Sequence, residues 1–479
     1  MAPFTAWLPP RIDYPIDLVL AIAGEGIAAY SRALQAFERT LADQGFEIIA
    51  QHGRLKERNT SDAVRIRIST KPLTSMGHGC DMLVWLDKDL PDLGQFGVQI
   101  GSVLLCEPQV AARLNVAVRT GLITYLVPFH ELARDCGECL SGKGLVALGV
   151  LSRLLGLPPE VLCHHLEIEY SRRYFNAGVT FVATHVKKRD VYALSTTVSY
   201  PGRVLLNVQE AIAVGLSNGF CKCPTACLST LEESPGAWVS RHVSEGAGVI
   251  ASAEAVGSIE AYVGPCNGMT VMVGRENPCE CAPIESASSP IVLVASDIAD
   301  ILSLLVIARR IIRETKQLVR VIVDGPLTRR VQTVSINELR RILEAHDAWQ
   351  SNEPNRCGAN VLDAQAEREG ALDADVGYVA WGSAQGVVRE AVAMCHGFGL
   401  DVAALYPKSL PPLCSGPLEA FGRTVANLVV VECTESSDYA GLVTSATSLR
   451  PLQLRPEPGE ALTAMDIFLR EGLGCRQHD

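Results

Sequence analysis

The sequence predicts an α/β protein built of three parallel-sheet domains, and three observations carry that expectation. Short apolar runs bounded by turn residues alternate with stretches of helical periodicity, the pattern of strands joined by crossover helices. The clearest instance is the last quarter, where Asp375–Val392 reads as an apolar strand, a Gly-Ser-x-x-Gly turn and a helix. Val429-Val430-Val431-Glu432 follows as a strand ending on a carboxylate. The length of 479 residues gives a prior of about three domains, each able to bury its own core.

The elements follow in order. Ile16–Ala23 is a continuous apolar strand, Gly24-Glu25-Gly26 a turn, and Ile27 to Asp43 a helix. Phe46–Ala50, Ala63–Ser69, Met82–Leu86 and Ser102–Cys106 read as further strands of a doubly wound parallel sheet. A helical pair, Gly144–Leu155 and Pro158–Glu169, precedes a return strand near Val179–Thr184. These elements make a first domain over 1–200. A second, over 201–325, opens on a helix start at Asn207–Gly215 and ends on Val321-Ile322-Val323-Asp324. The polar stretch 326–374, with Ser351-Asn352-Glu353-Pro354-Asn355, reads as a linker or insertion. The third domain spans 375–479.

Composition excludes several classes. A formal charge of −11 argues against a nucleic-acid binder, whose affinity rests on cationic contacts to phosphate. The most apolar window, Ile291–Ile312, carries Asp297 and Asp300 and ends in Arg309-Arg310, so it reads as a strand and an amphipathic helix and not a membrane span. Met1–Tyr14 is Pro-interrupted, with no positive n-region before an apolar run, and does not read as a signal peptide. A cytoplasmic chain is expected, with its 16 cysteines as reduced thiols or metal ligands.

Five local motifs bear on chemistry. Gly24-x-Gly26-x-x-Ala29 is near the dinucleotide fingerprint, but the second strand ends at Ala50-Gln51-His52 with no acid placed for a ribose, so a tight strand-to-helix turn explains the glycines better. Gly137–Gly144 nearly spells a phosphate-binding loop but has Gly144 where the metal-binding hydroxyl belongs. Cys221, Cys223 and Cys227, with Cys279 and Cys281, are candidate metal or Fe–S ligands in a non-standard spacing. Small buried thiols are the alternative. Cys136-x-x-Cys139 offers only two ligands, and the adjacent His164-His165 face different sides of a helix.

Taken together, Ile22-Ala23-Gly24-Glu25-Gly26, Val64-Arg65-Ile66-Arg67-Ile68-Ser69, Gly142–Gly149, Val402–Pro412 and the Val-Val-Val-Glu strand resemble, in order, the motifs of a gamma–alpha fused alpha subunit of the 2-oxoacid:ferredoxin oxidoreductases. The resemblance implies a gamma-like domain, a domain binding the pyrimidine of thiamine diphosphate, and a transketolase-C-like domain. It further implies that a glutamate bonds the aminopyrimidine N1′ and favours the tautomer that deprotonates C2. Ser244-Glu245-Gly246-Ala247 resembles the family's segment, which puts that role on Glu245. By the same resemblance Thr225 stands for a substrate-contacting threonine, and Asn267 and Gly268 lie in a cofactor-facing turn. The diphosphate and Mg²⁺ would need a partner, since no Gly-Asp-Gly with a downstream Asn occurs here.

The implied assembly is a hetero-oligomer with a beta subunit that completes the thiamine diphosphate site and carries an Fe–S cluster. Its partners would be coenzyme A, ferredoxin and a 2-oxo acid, with 2-oxoglutarate favoured. Departures from the family concentrate in the second domain. Cys221–Cys227 replaces a Tyr-Pro-Ile-Thr-Pro turn and the segment before Ile291 is short; in the third domain Glu432–Ser437 also differs from the family's pattern. A non-catalytic structural subunit, or a cysteine-ligated metal protein on the same fold, are the alternatives.

Overall fold

A computed structural model of the chain describes residues 16–24, 31–53, 63–115, 120–137, 142–165, 169–194, 202–217, 249–252, 269–275, 291–315, 317–342, 366–410, 413–432, 434–457 and 462–474. It is an α/β protein with three largely parallel sheets, as expected. Two compact units divide the chain: Met1–Leu205 with Val331–Thr333, and Leu206–Arg330 with Val334–Asp479.

In the first unit the chain runs β1 (Asp17–Ala23), α1 (Ser31–Asp43), β2 (Glu47–Gly53), β3 (Ala63–Ser69), β4 (Cys80–Trp85), β5 (Val98–Cys106), α2 (Pro108–Arg113) and β6 (Ile123–Leu126). Then come α3 (Phe129–Cys136), α4 (Gly142–Leu154), α5 (Pro159–His165), α6 (Glu169–His185) and β7 (Arg203–Asn207). The second unit has α7 (Val208–Ser217), β8 (Val249–Ser252), β9 (Met269–Arg275), β10 (Ile291–Val294), α8 (Ile298–Thr315), β11 (Val319–Asp324) and the single turn α9 (Gly325–Thr328). β12 (Arg330–Ser335) follows, then β13 (Glu367–Gly370), β14 (Ala374–Ala380), α10 (Ala384–Gly397), β15 (Val402–Tyr406), α11 (Ser415–Gly422), β16 (Val425–Val431), α12 (Tyr439–Ala446), β17 (Leu452–Leu454) and α13 (Ala464–Gly474).

The first sheet has the order β6-β5-β4-β1-β3-β2-β12-β7. β1, β4, β5 and β6 run parallel, but β3 is antiparallel to both neighbours. The expected doubly wound sheet is therefore mixed. Only residues 54–62 separate β2 from β3, too few for the crossover that a parallel pair needs. Arg67 fixes this strand. Its Nε and Nη2 donate to the two oxygens of Asp17 at 2.9 and 2.7 Å, and Nη1 donates to the Ser75 carbonyl. Residues 326–374, expected as a linker or insertion, contribute β12 here. Thr333 accepts from the Ile48 amide at 2.9 Å and donates to Glu47.

The return strand expected at Val179–Thr184 is instead the end of helix α6. The β-branched run there has strand propensity, but tertiary packing overrides it. Tyr174, Phe175, Gly178 and Val182 are buried at helical spacing and pack on α4, itself buried on nearly every face. The crossing is made by glycines. A Cβ on Gly149 would lie 2.0 Å from the Phe175 carbonyl oxygen, and one on Gly178 would lie 2.1 Å from that of Val146.

In the second unit β10-β11-β9-β8 form an all-parallel sheet, and β13-β15-β14-β16-β17 form another in which only β13 is antiparallel. A capping box opens α7, with Asn207 and Glu210 each accepting the other's backbone N–H. Val292, Val294 and Ile322 share one core with Val379, Trp381, Leu405 and Leu410, so the two sheets of this unit are packed as one body.

Candidate functional site

The residues the sequence singles out for chemistry, Glu245, Thr225, Asn267 and Gly268, lie outside the described residues, as do Cys221, Cys223, Cys227, Cys279 and Cys281. Among the described residues no cluster of His, Cys, Asp and Glu is suited to a metal ion, and Cys80, Cys106, Cys136, Cys395 and Cys414 are not in disulfides. Burial pushes the Cys80 and Cys106 thiols up to about 12, which leaves them without thiolate reactivity near neutral pH.

The weak phosphate-binding motifs have structural duties. Gly24 has φ +135°, and a Cβ there would lie 2.9 Å from that of Leu86. Gly142 begins α4 against the Tyr174 ring, 2.7 Å from where its Cβ would sit. The Lys143 ammonium donates to the Leu86 carbonyl at 3.4 Å.

What the described residues bring together is a polar cluster at the carboxyl ends of the second and third sheets, where open α/β sheets place their ligand crevices. Asp324 ends β11 and is fully buried. Its Oδ1 accepts from the Leu327 amide at 3.1 Å, and its Oδ2 accepts from the Ser383 amide at 2.8 Å. Ser383 belongs to the Gly-Ser turn after β14. Burial pushes the Asp324 carboxyl up, against the hydrogen bonds from Ser383 and Leu327. Beside it, Ser296-Asp297-x-x-Asp300 caps α8. The Asp300 amide donates to Asp297 Oδ1 at 2.8 Å, and the Ser296 amide donates to Asp300 Oδ2 at 3.0 Å.

Lys408 crosses from the third sheet to pair with Asp300. Burial opposes its charge, but the Asp300 carboxylate outweighs that and raises the Lys408 pKa. Asp297 is pushed up by burial and then by Asp300. Burial lowers Arg330, whose charge is balanced by Asp297 and Asp324. The backbone completes the joint. The Val294 amide donates to the Lys408 carbonyl and the Leu410 amide to that of Val292, both at 2.9 Å, so residues 408–410 run antiparallel along β10 through a single bridge, Leu293 with Ser409.

A second hub closes the third sheet. Glu432, 1% exposed, accepts from Trp381 Nε1 at 3.3 Å, the Ala440 amide at 3.1 Å and Gln453 Nε2 at 2.8 Å. It ties the start of α12 over the ends of β14, β16 and β17. These carboxylates are committed to amides or cations, so their chemistry is to hold the sheet ends rigid.

Sequence reasoning missed this brace. The Ser-Asp-x-x-Asp capping signal before the apolar run of α8 was readable; its pairing with Lys408, 108 residues away, carried no local signal.

No family model matches the chain, and no curated protein matches its sequence. The fold does have solved counterparts. The fold is similar to that of a 2-oxoacid:ferredoxin oxidoreductase. The 2-oxoglutarate:ferredoxin oxidoreductase from Magnetococcus marinus, determined with 2-oxoglutarate, coenzyme A and succinyl-CoA bound, superposes with a TM-score of 0.77 and 18% identity, over 95% of this chain and 98% of that one. The resemblance read from the motifs is thus a resemblance of fold along almost the whole chain. Two partial likenesses accompany it. A keto/oxoacid ferredoxin oxidoreductase gamma subunit from Geobacter sulfurreducens covers 35% of this chain and 95% of its own (TM-score 0.29, 19% identity). Pyruvate oxidoreductase subunit PORC from Thermotoga maritima covers 34% of this chain and 96% of its own (TM-score 0.27, 17% identity).

Proposed function

We propose that the chain is the alpha-type subunit of a 2-oxoacid:ferredoxin oxidoreductase, with gamma-like, pyrimidine-binding-like and C-terminal domains in that order. The supporting observation is the end-to-end fold likeness to the Magnetococcus marinus enzyme. The reaction is oxidative decarboxylation of a 2-oxo acid to an acyl-CoA, with electrons passed to ferredoxin. 2-Oxoglutarate is the favoured substrate, since that ligand occupies the neighbour. Thiamine diphosphate with Mg²⁺, shared with a beta subunit that carries an Fe–S cluster, would supply the carbanion-stabilising chemistry.

This chain's own part is to present Glu245 to the aminopyrimidine, with Thr225, Asn267 and Gly268 alongside. The Asp324–Ser383 and Asp300–Lys408 contacts are supports that hold the sheet ends still. Glu245→Gln is the direct test. Turnover of the assembled complex is expected to vanish while subunit association persists; undiminished turnover would remove Glu245 from the mechanism.

One observation favours a second reading, a structural subunit without a complete cofactor site. The second domain departs from the family at Cys221–Cys227 and in the short segment before Ile291. Absence of bound thiamine diphosphate from an otherwise intact complex would select it.

A further inference from the structure

The first unit holds a cleft of about 570 Å³ between α2, the edge strand β6 and the loop that leaves α6. That volume lies within the ~300–1,000 Å³ typical of small-molecule sites. One wall is apolar, from Pro108, Ala111, Leu126 and Val186. Its charged lip carries Lys187 and Arg189, part of Lys187-Lys188-Arg189, the single run of three consecutive cations in a chain of net charge −11.

The lip is held in place. Tyr125 Oη accepts from the Arg189 amide at 2.6 Å and the Asp190 amide at 3.2 Å, and donates to Asp190 Oδ2 at 2.7 Å. The Lys188 ammonium donates to Asp190 Oδ1 and the Leu154 carbonyl, both at 2.7 Å. Asp190 is thereby consumed, and the neighbouring Glu107 accepts from the His130 amide. The Arg189 guanidinium is steadied by the Thr124 carbonyl and lies 5.2 Å from the Tyr125 ring centre. Neither Lys187 nor Arg189 has a carboxylate partner among the described residues.

We propose that this cleft binds a small aliphatic carboxylate, its head on Lys187 and Arg189 and its chain on the Pro108–Ala111 wall. The Thr124 carbonyl is neutral, so the Arg189 guanidinium keeps its charge and, with the Lys187 ammonium, draws an anionic head group. The guanidinium nitrogens not given to Thr124 suit the two oxygens of a carboxylate. The apolar wall then discriminates against a bare inorganic anion. The site lies wholly within the gamma-like unit and does not depend on the proposed catalytic role.

The test is calorimetric titration of the full chain with hexanoate, with inorganic phosphate as competitor. One-to-one binding is expected, unaffected by equimolar phosphate. Lys187→Glu, at an exposed position without a described partner, should weaken it about tenfold or more, the worth of one charge-assisted contact. Ala112→Trp, on the exposed face of α2, should fill the cleft and abolish binding, with unchanged circular dichroism in both variants. No binding of hexanoate, equal binding by the Lys187→Glu protein, or displacement by phosphate would each overturn the proposal.

Discussion

Two joints in this molecule solve the same problem by opposite means. In the first unit, α4 and α6 cross through Gly149 and Gly178, each seated against the other helix's backbone. The contact is apolar and rests on shape. In the second unit, the second and third sheets are joined by partnered groups: Lys408 with Asp300, Asp324 with the Ser383 amide, and the segment 408–410 along β10. A joint of shape tolerates no added atom, whereas a joint of charges tolerates no lost partner.

The largest effect should come from breaking the charged joint. Lys408→Met leaves Asp300 buried without its cation, which costs about 3 kcal/mol, readable as a lowered urea midpoint. Adding Asp300→Leu should recover a large part of that loss, because an apolar pair of similar volume replaces an ion pair at little net cost. Absence of recovery would mean that the Ser296 and capping bonds of Asp300 carry the joint instead.

The glycine joint should break by addition. Gly149→Ala places a methyl where the Phe175 carbonyl now sits and should destabilise by about 2 kcal/mol. Gly178→Ala should cost a similar amount. The double variant should cost less than the sum, since one separation of the helices relieves both clashes.

A smaller, pH-dependent effect lies beneath α1, where His52 Nε2 sits 2.8 Å from Oε1 of the fully buried Glu38. Burial alone would lower the imidazole, but Glu38 outweighs it and the pKa is raised above 6.5. A raised cationic pKa stabilises fully below the unfolded value and is lost as pH rises through the folded one. The stability difference between the native protein and His52→Ala should therefore shrink as pH rises above about 6.5. A difference that is constant with pH would mean that His52 stays neutral.

The smallest effect is expected at Arg389, which grips Glu367 at 2.6 Å and stacks 4.0 Å over Tyr406. Glu367 is well exposed, so Arg389→Lys should cost only about 0.5 kcal/mol.

The sequence disclosed whatever depends on local pattern. The strand Ala63–Ser69, the Gly-Ser turn before α10 and the Asn207 helix start were readable because periodicity and caps are written in neighbouring residues. The antiparallel course of β3 was not, because a run of alternating residues does not say which way its partner points. Val179–Thr184 misled because its β-branched residues have strand propensity, while the deciding contact, Gly149 against Phe175, is a long-range one. The brace at the sheet ends was hidden for the same reason, with Asp324 and Ser383 lying 59 residues apart.

The most direct test is anaerobic purification of the chain with the subunits that travel with it. 2-Oxo-acid- and coenzyme A-dependent viologen reduction and bound thiamine diphosphate would then be measured on the same sample. The proposed catalytic role predicts turnover with one cofactor per copy of this chain. A co-purifying beta subunit with neither cofactor nor turnover would contradict it.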